Sequence, residues 1–181
     1  MAGMEPVELV VFVGIQASGK TTYYRRHLAE SHAHVSLDTW RGKGNVRAKE
    51  RAAIMAALAA AADSAGATRG VVVDNTNVTA AARRRYGTYA ADFARQAGCR
   101  ARLVAYFFDA DLPGCLARNQ QRPPPDQVPP PAPYFVPPAA IAAFAQRLEP
   151  PEFDEGFERI VRVRVAGEDF QTEEFRPEGG A

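Results

Sequence analysis

Between Leu9 and Tyr23 the chain reads L-V-V-F-V-G-I-Q-A-S-G-K-T-T-Y, and no other stretch limits the possible folds so sharply. An apolar run of strand length stops at a glycine, and Gly-Lys-Thr-Thr follows five residues later. Gly14-Ile15-Gln16-Ala17-Ser18-Gly19-Lys20-Thr21 matches G-x-x-x-x-G-K-[ST] at every position. The chemistry follows from the geometry this pattern imposes. Small residues between a buried strand and a helix let successive backbone N–H groups converge on an anion at the helix N-terminus. Gly14, Ala17, Ser18, Gly19, Lys20, Thr21 and Thr22 are therefore expected to hold the phosphates of ATP or another nucleoside triphosphate. Lys20 would neutralise the β- and γ-oxygens, and Thr21 would ligate Mg²⁺.

The rest of the chain alternates in the way that loop requires. Strands are expected at Glu8–Gly14, His34–Asp38, Val71–Asp74, Arg102–Phe108 and Phe157–Val165. Helices are expected at Gly19–Glu30, Ala48–Ala65, Thr79–Gly98, Asp111–Gln121 and Ala139–Leu148. Thr79 suits an N-cap, and Pro113 falls in a first turn, where proline is tolerated. The alternation predicts an α/β fold with a central parallel sheet of about five strands and helices on both faces. R-P-P-P-D-Q-V-P-P-P-A-P-Y-F-V-P-P holds nine of the chain's 14 prolines, so it is neither helix interior nor central strand. It reads as an extended crossing within a lid of about 115–148. One domain is expected over 1–167, with 168–181 a flexible acidic tail.

Charge is unevenly divided. Residues 1–122 carry 17 Lys and Arg against 10 Asp and Glu, while 123–181 carry 5 against 11. A basic body suits an anionic ligand, although a solvated surface would show the same count. Cys99 and Cys115 have no metal-site spacing and read as reduced thiols of a cytoplasmic protein. The N-terminus lacks the basic start of a secretory signal, and no apolar run reaches membrane length. No obligate protein partner is evident.

Polar residues gather where strands end, the edge of such a sheet at which ligands bind. Asp74 closes an all-valine strand, where a carboxylate would stand beside Mg²⁺. Asn75 and Asn77 follow it, as substrate contacts or as turn and cap residues. Asp38 closes another strand, placed to accept a proton from an attacking hydroxyl or to cap a helix. Arg41 lies three residues on, where it could hold an acceptor's phosphate. Arg118 and Arg122, four apart before the proline-rich crossing, suit the charge spread over a transferring phosphoryl group. Arg84, within Arg83-Arg84-Arg85, could grip a phosphate backbone or simply be solvated. His27, His32 and His34 are expected at the surface, and Trp40 in the core or against a base.

With these residues assembled, the chain resembles the polynucleotide 5′-hydroxyl kinase group of P-loop kinases. G-I-Q-A-S-G-K-T-T, L-D-T-W-R, V-V-V-D-N-T-N and R-N-Q-Q-R carry the resemblance, which spans nearly the whole sequence. R-L-E-P-P-E-F-D-E-G-F is similar to the closing segment of small kinases of that superfamily. The resemblance implies a P-loop NTPase fold and transfer of the γ-phosphate of ATP to the 5′-OH end of RNA or DNA. It places Asp38 as general base, Arg41 on the acceptor phosphate, and Arg118 and Arg122 as lid contacts. A small-molecule acceptor stays open, because the same superfamily phosphorylates nucleosides, sugars and antibiotics. A nucleotide-driven switch is the non-kinase alternative, weakened by the absence of an N-K-x-D motif.

Overall fold

The computed structural model describes residues 6–64 and 66–177. Its sheet has six strands: β1 (Val7–Val13), β2 (His32–Val35), β3 (Gly70–Val73), β4 (Ala101–Phe108), β5 (Arg159–Ala166) and β6 (Asp169–Phe175). They lie in the order β2-β3-β1-β4-β5-β6, with every pairing parallel except the β5–β6 hairpin. β1 is central because both of its faces are apolar. Leu9, Val11 and Val13 enter one core, while Val10 and Phe12 enter the other.

The helices are α1 (Lys20–Tyr23), α2 (Val46–Asp63), α3 (Ala80–Ala97), α4 (Leu112–Gln120) and α5 (Pro138–Gln146). Helices α2 and α3 cover the first face through Ile54, Leu58, Tyr86 and Phe93. Helix α1 passes directly into a π-helical stretch, Tyr24–Leu28, and covers the second face through Tyr23 and Leu28. A smaller core joins α4 and α5 to Ile15 and Ala17 of the phosphate-type loop. Thr79 caps α3 as expected, its hydroxyl accepting the Ala82 N–H at 3.2 Å. Gly70 is forced by strand packing, since a Cβ there would sit 2.0 Å from the Glu8 carbonyl oxygen.

Two expectations need correction. The segment expected as a flexible acidic tail supplies β6 over Asp169–Phe175, an antiparallel edge strand beside the five parallel strands expected; residues 178–181 lie outside the described residues. Its Phe170 ring packs edge-on against Tyr23 at 5.1 Å, so that strand returns to the helix behind the loop. The second strand spans His32–Val35 rather than His34–Asp38. Ser36 ends it by accepting the Asp38 N–H, which starts a 3₁₀ turn over Leu37–Trp40.

The chain leaves β1 for β2 and β3 on one side, then returns to β4 on the other. Strand order thus reverses at β1, which opens a crevice beyond its carboxyl end. The Gly14–Thr21 loop occupies that position.

Candidate active site

The loop's shape comes from its glycines. A Cβ on Gly14 would approach Phe108 Cβ to 2.9 Å, and Gly19 has φ +100°, a left-handed conformation that only glycine adopts cheaply. Inside the turn, Lys20 Nζ donates to the carbonyls of Gly14 at 2.9 Å and Ile15 at 2.6 Å. Its ammonium is buried, and that burial pushes its pKa down to about 8 although Asp74 pulls the other way. An anionic ligand in the loop would reverse that penalty.

Thr21 Oγ1 donates to Asp74 Oδ2 at 2.7 Å, joining α1 to the end of β3. On the other side, His34 Nε2 donates to the same oxygen at 3.0 Å, and its ring stacks on Tyr24 at 4.4 Å. Burial alone would push the Asp74 carboxyl up. The His34 hydrogen bond, the Lys20 charge and the Thr21 hydroxyl outweigh that and hold it below the usual carboxylate range. A hydroxyl and an ionised carboxylate side by side are the hard-oxygen donors Mg²⁺ prefers when phosphate and water complete its shell. Thr21 and Asp74 therefore fit that ion.

A cavity of about 510 Å³ opens in front of the loop. Lys20, Thr21, Thr22, Asp38, Asp74 and Arg122 all line it, so phosphate loop, carboxylates and lid arginine share one space. The Asp38 carboxyl is raised, first by burial and then by Asp74, against Arg41, Lys20 and Arg122. Arg122 sits in the bend after α4, where burial lowers the pKa of its guanidinium and the charges of Asp38 and Asp74 oppose that shift. The proline-rich segment expected as a lid lines the cavity with Pro133, Tyr134 and Val136.

Other residues singled out from sequence stand elsewhere. Arg118 Nε donates to the Ala17 carbonyl at 2.7 Å, bracing the loop from behind rather than lining the cavity. Arg41 is bound to the lid: it donates to the carbonyls of Val128 at 2.9 Å and Pro125 at 3.3 Å, and lies 4.2 Å from the Tyr134 ring centre. Its Nη1 is buried and meets no hydrogen-bond partner among the described residues. Asn75 reaches the cavity wall, but its amide is engaged on both ends, accepting from Leu37 N and donating to Glu50.

Asn77 is buried beneath the site, donating to the Phe12 carbonyl at 2.9 Å. The arginine triplet divides by helix geometry. Arg83 is buried and paired with Glu155, Arg85 turns inward to Glu50, and Arg84 is exposed away from the cavity. Trp40 packs against the larger core.

Two features were missed in the sequence. His34 and His32 are not surface groups: the first touches Asp74, and the second is buried against Glu8. Strand alternation could have placed them, because β2 pairs with β3 and carries its side chains to the same layers. Glu50 was passed over as one charge on an alanine-rich helix, yet it is fully buried.

Among the described residues, no helix is long and apolar enough to cross a membrane. The family model of the AAA domain matches residues 9–151. No curated protein matches the sequence. Among solved structures, a fungal RNA kinase aligns at TM-score 0.61 and 18% identity, over 90% of this chain and 39% of that one. A chain of the Pnkp1/Rnl/Hen1 RNA repair complex aligns at TM-score 0.59 and 18% identity, over 81% of this chain and 45% of that one. This chain spans less than half the length of either, and what it shares with them is the fold.

Proposed function

The chain belongs to the AAA domain family in its P-loop kinase form, and from that premise we propose that it transfers the γ-phosphate of ATP to the 5′-OH end of RNA or DNA. One observation carries the reading. Asp38 lines the same cavity as Lys20, Thr21 and Asp74, which supports its use as the group that meets an acceptor hydroxyl. A protein that only holds nucleotide has no use for that group.

In the proposed reaction Asp38 accepts the proton of the 5′-hydroxyl as its oxygen attacks the γ-phosphorus. The bond from phosphorus to the β–γ bridging oxygen breaks, and ADP leaves with that electron pair. Lys20 and Arg122 neutralise the oxygens between which charge shifts, and Arg118 holds the loop at Ala17 while they do so. Thr21 and Asp74 would hold Mg²⁺, which supplies charge neutralisation on the phosphates when bound. The raised Asp38 carboxyl makes it a better proton acceptor than an ordinary aspartate. The basic charge of residues 1–122 suits a polyanionic acceptor.

The test is incubation with γ-labelled ATP, Mg²⁺ and, in parallel, a short 5′-OH oligoribonucleotide, its DNA counterpart, a nucleoside mixture and a sugar mixture. Label on an oligonucleotide 5′ end is the expected result. Label on a nucleoside or sugar alone would overturn the polynucleotide acceptor, and ATP hydrolysis without transfer would overturn the kinase reading.

A further inference from the structure

Glu50 is a carboxylate in the interior, with no solvent exposure and no role in the reaction just described. Its Oε1 accepts from Asn75 Nδ2 at 2.7 Å and from Tyr86 OH at 3.0 Å, while Oε2 accepts from Arg85 Nε at 3.2 Å. The importance of the group lies in what its partners touch. Asn75 passes the contact on, its Oδ1 accepting the N–H of Leu37 at 2.8 Å, one residue before Asp38. Arg85 Nη2 donates to Asn77 Oδ1 at 3.1 Å, and the Tyr86 hydroxyl lies 3.0 Å from both that oxygen and Glu50 Oε1, its one proton serving either of them. Asn77 Nδ2 then donates to the Phe12 carbonyl at 2.9 Å, two residues before the phosphate loop begins.

A single buried network therefore links the turn carrying Asp38, the D-N-T-N end of β3 and the strand end that launches the loop. We infer that Glu50 is a positioning residue that sets the distance between Asp38 and the phosphate loop, acting through Asn75 on one side and Asn77 on the other. The inference rests on the phosphotransfer reading above.

The physical argument concerns orientation. Asn75 can accept from Leu37 and donate to Glu50 only with its amide in one of its two flips, and the carboxylate, which can only accept, selects that flip. The Arg85 guanidinium pairs with Glu50 in the interior, where a carboxylate without a partner would be costly. The Asn75 amide ties the Leu37 N–H to the end of β3, and so holds the proton acceptor in line.

Glu50→Gln keeps the shape of the side chain but turns one of the two oxygens into a donor, and each already faces two donors, Asn75 and Tyr86 at Oε1 and Arg85 and Arg47 at Oε2. Its kcat for transfer should fall by roughly 10- to 100-fold, as expected for an ångström-scale misplacement of a reacting group. ATP affinity, set by the loop itself, should change by less than about threefold, roughly 0.6 kcal/mol. A merely structural role would lower both together.

Trp40 provides a readout independent of activity. It is the chain's only tryptophan and ends the same turn as Asp38, so its emission reports the position of that turn. Glu50→Gln should shift Trp40 emission to the red and increase its quenching by acrylamide. Asn75→Ser, which cuts the link to Leu37 but leaves the Glu50–Arg85 pair intact, should do the same and covers the case in which Glu50→Gln does not fold. Unchanged Trp40 emission in the folded variants, or equal losses of kcat and ATP affinity, would overturn the inference. Absence of transfer by the unaltered protein would instead overturn the phosphotransfer reading, with the Trp40 comparison still deciding the network.

Discussion

Replacing Arg83 by Gln should cost more stability than any other single change in the R-R-R triplet, and the structure allows the amount to be worked out. The guanidinium is almost fully buried and directs all three nitrogens at acceptors. Nε and Nη2 meet Glu155 Oε2 and Oε1 at 2.7 and 2.6 Å, and Nη1 meets the carbonyls of Asn77 and Glu149, each at 2.9 Å. Removing it strands a carboxylate with little access to water as well as two carbonyl oxygens. Taking one partner from such a pair costs about 3–5 kcal/mol, because the other is left buried and charged. For a chain of this size each kcal/mol lowers Tm by about 2–4 °C, so the expected drop is roughly 6–20 °C.

Arg84→Gln is the matched control, one residue along and exposed, expected to stay within about 0.5 kcal/mol of the parent protein. Differential scanning calorimetry on both variants, with Glu155→Gln and the double substitution completing a cycle, measures the coupling directly. A Tm loss for Arg83→Gln no larger than that for Arg84→Gln would refute the reasoning. An unchanged Tm combined with a raised KM for an oligonucleotide would show that Arg83 grips substrate after all.

Asp38→Asn should abolish transfer and yet raise Tm at pH 7. Burial and Asp74 raise the folded-state pKa of Asp38, so its ionised form is disfavoured in the folded protein. Stability therefore falls as pH rises through the window between the ordinary carboxylate value and the raised one, and the Asn variant escapes that loss. The Tm difference should vanish as pH is lowered below that window, and a variant less stable than its parent at pH 7 would contradict the assignment. Arg41→Ala removes two hydrogen bonds and a ring contact that tie the lid to the Asp38 turn. Acceptor KM should rise about tenfold, ~1.4 kcal/mol, with ATP affinity retained, and the Gln127 and Phe135 amides should exchange faster. Unaltered exchange there would mean that the lid is held by its own packing.

How much of this was legible in the sequence depends on the range of the interaction. The loop, the Thr79 cap and the valine strand ending in Asp74 were readable because each is settled by neighbours a few residues away. β6 was not. Its D-F-Q-T-E-E-F is polar enough to look like a frayed end, and only pairing with β5 and the packing of Phe170 on Tyr23 hold it in the sheet. Asp38 lines the cavity from a 3₁₀ turn rather than from the strand end expected for it, since Ser36 ends the strand through one side-chain hydrogen bond that no periodicity signals.

The arginines show the limit most clearly. Sequence supplied six arginines near the proposed chemistry, counting the Arg83-Arg84-Arg85 triplet, and charge alone made each of them a candidate phosphate contact; Arg84 stands exposed on α3, away from the cavity. In the fold Arg83 joins α3 to the segment before β5, Arg85 holds Glu50, Arg41 fastens the lid, and Arg118 braces the loop at Ala17. Arg122 alone among these six lines the cavity. A guanidinium presents five donors in a rigid fork, so it serves backbone carbonyls as well as it serves phosphate. Which of the two it meets is decided by long-range contacts, with sequence separations such as 72 for Arg83–Glu155 and 101 for Arg118–Ala17. The donor half of the site could be read because a loop of eight residues builds it. The proposed acceptor half draws on a turn, the proline-rich segment and a buried network that meet only after folding, and for that reason Glu50 and Asn75 are the substitutions that would separate an aligned acceptor site from a merely intact one.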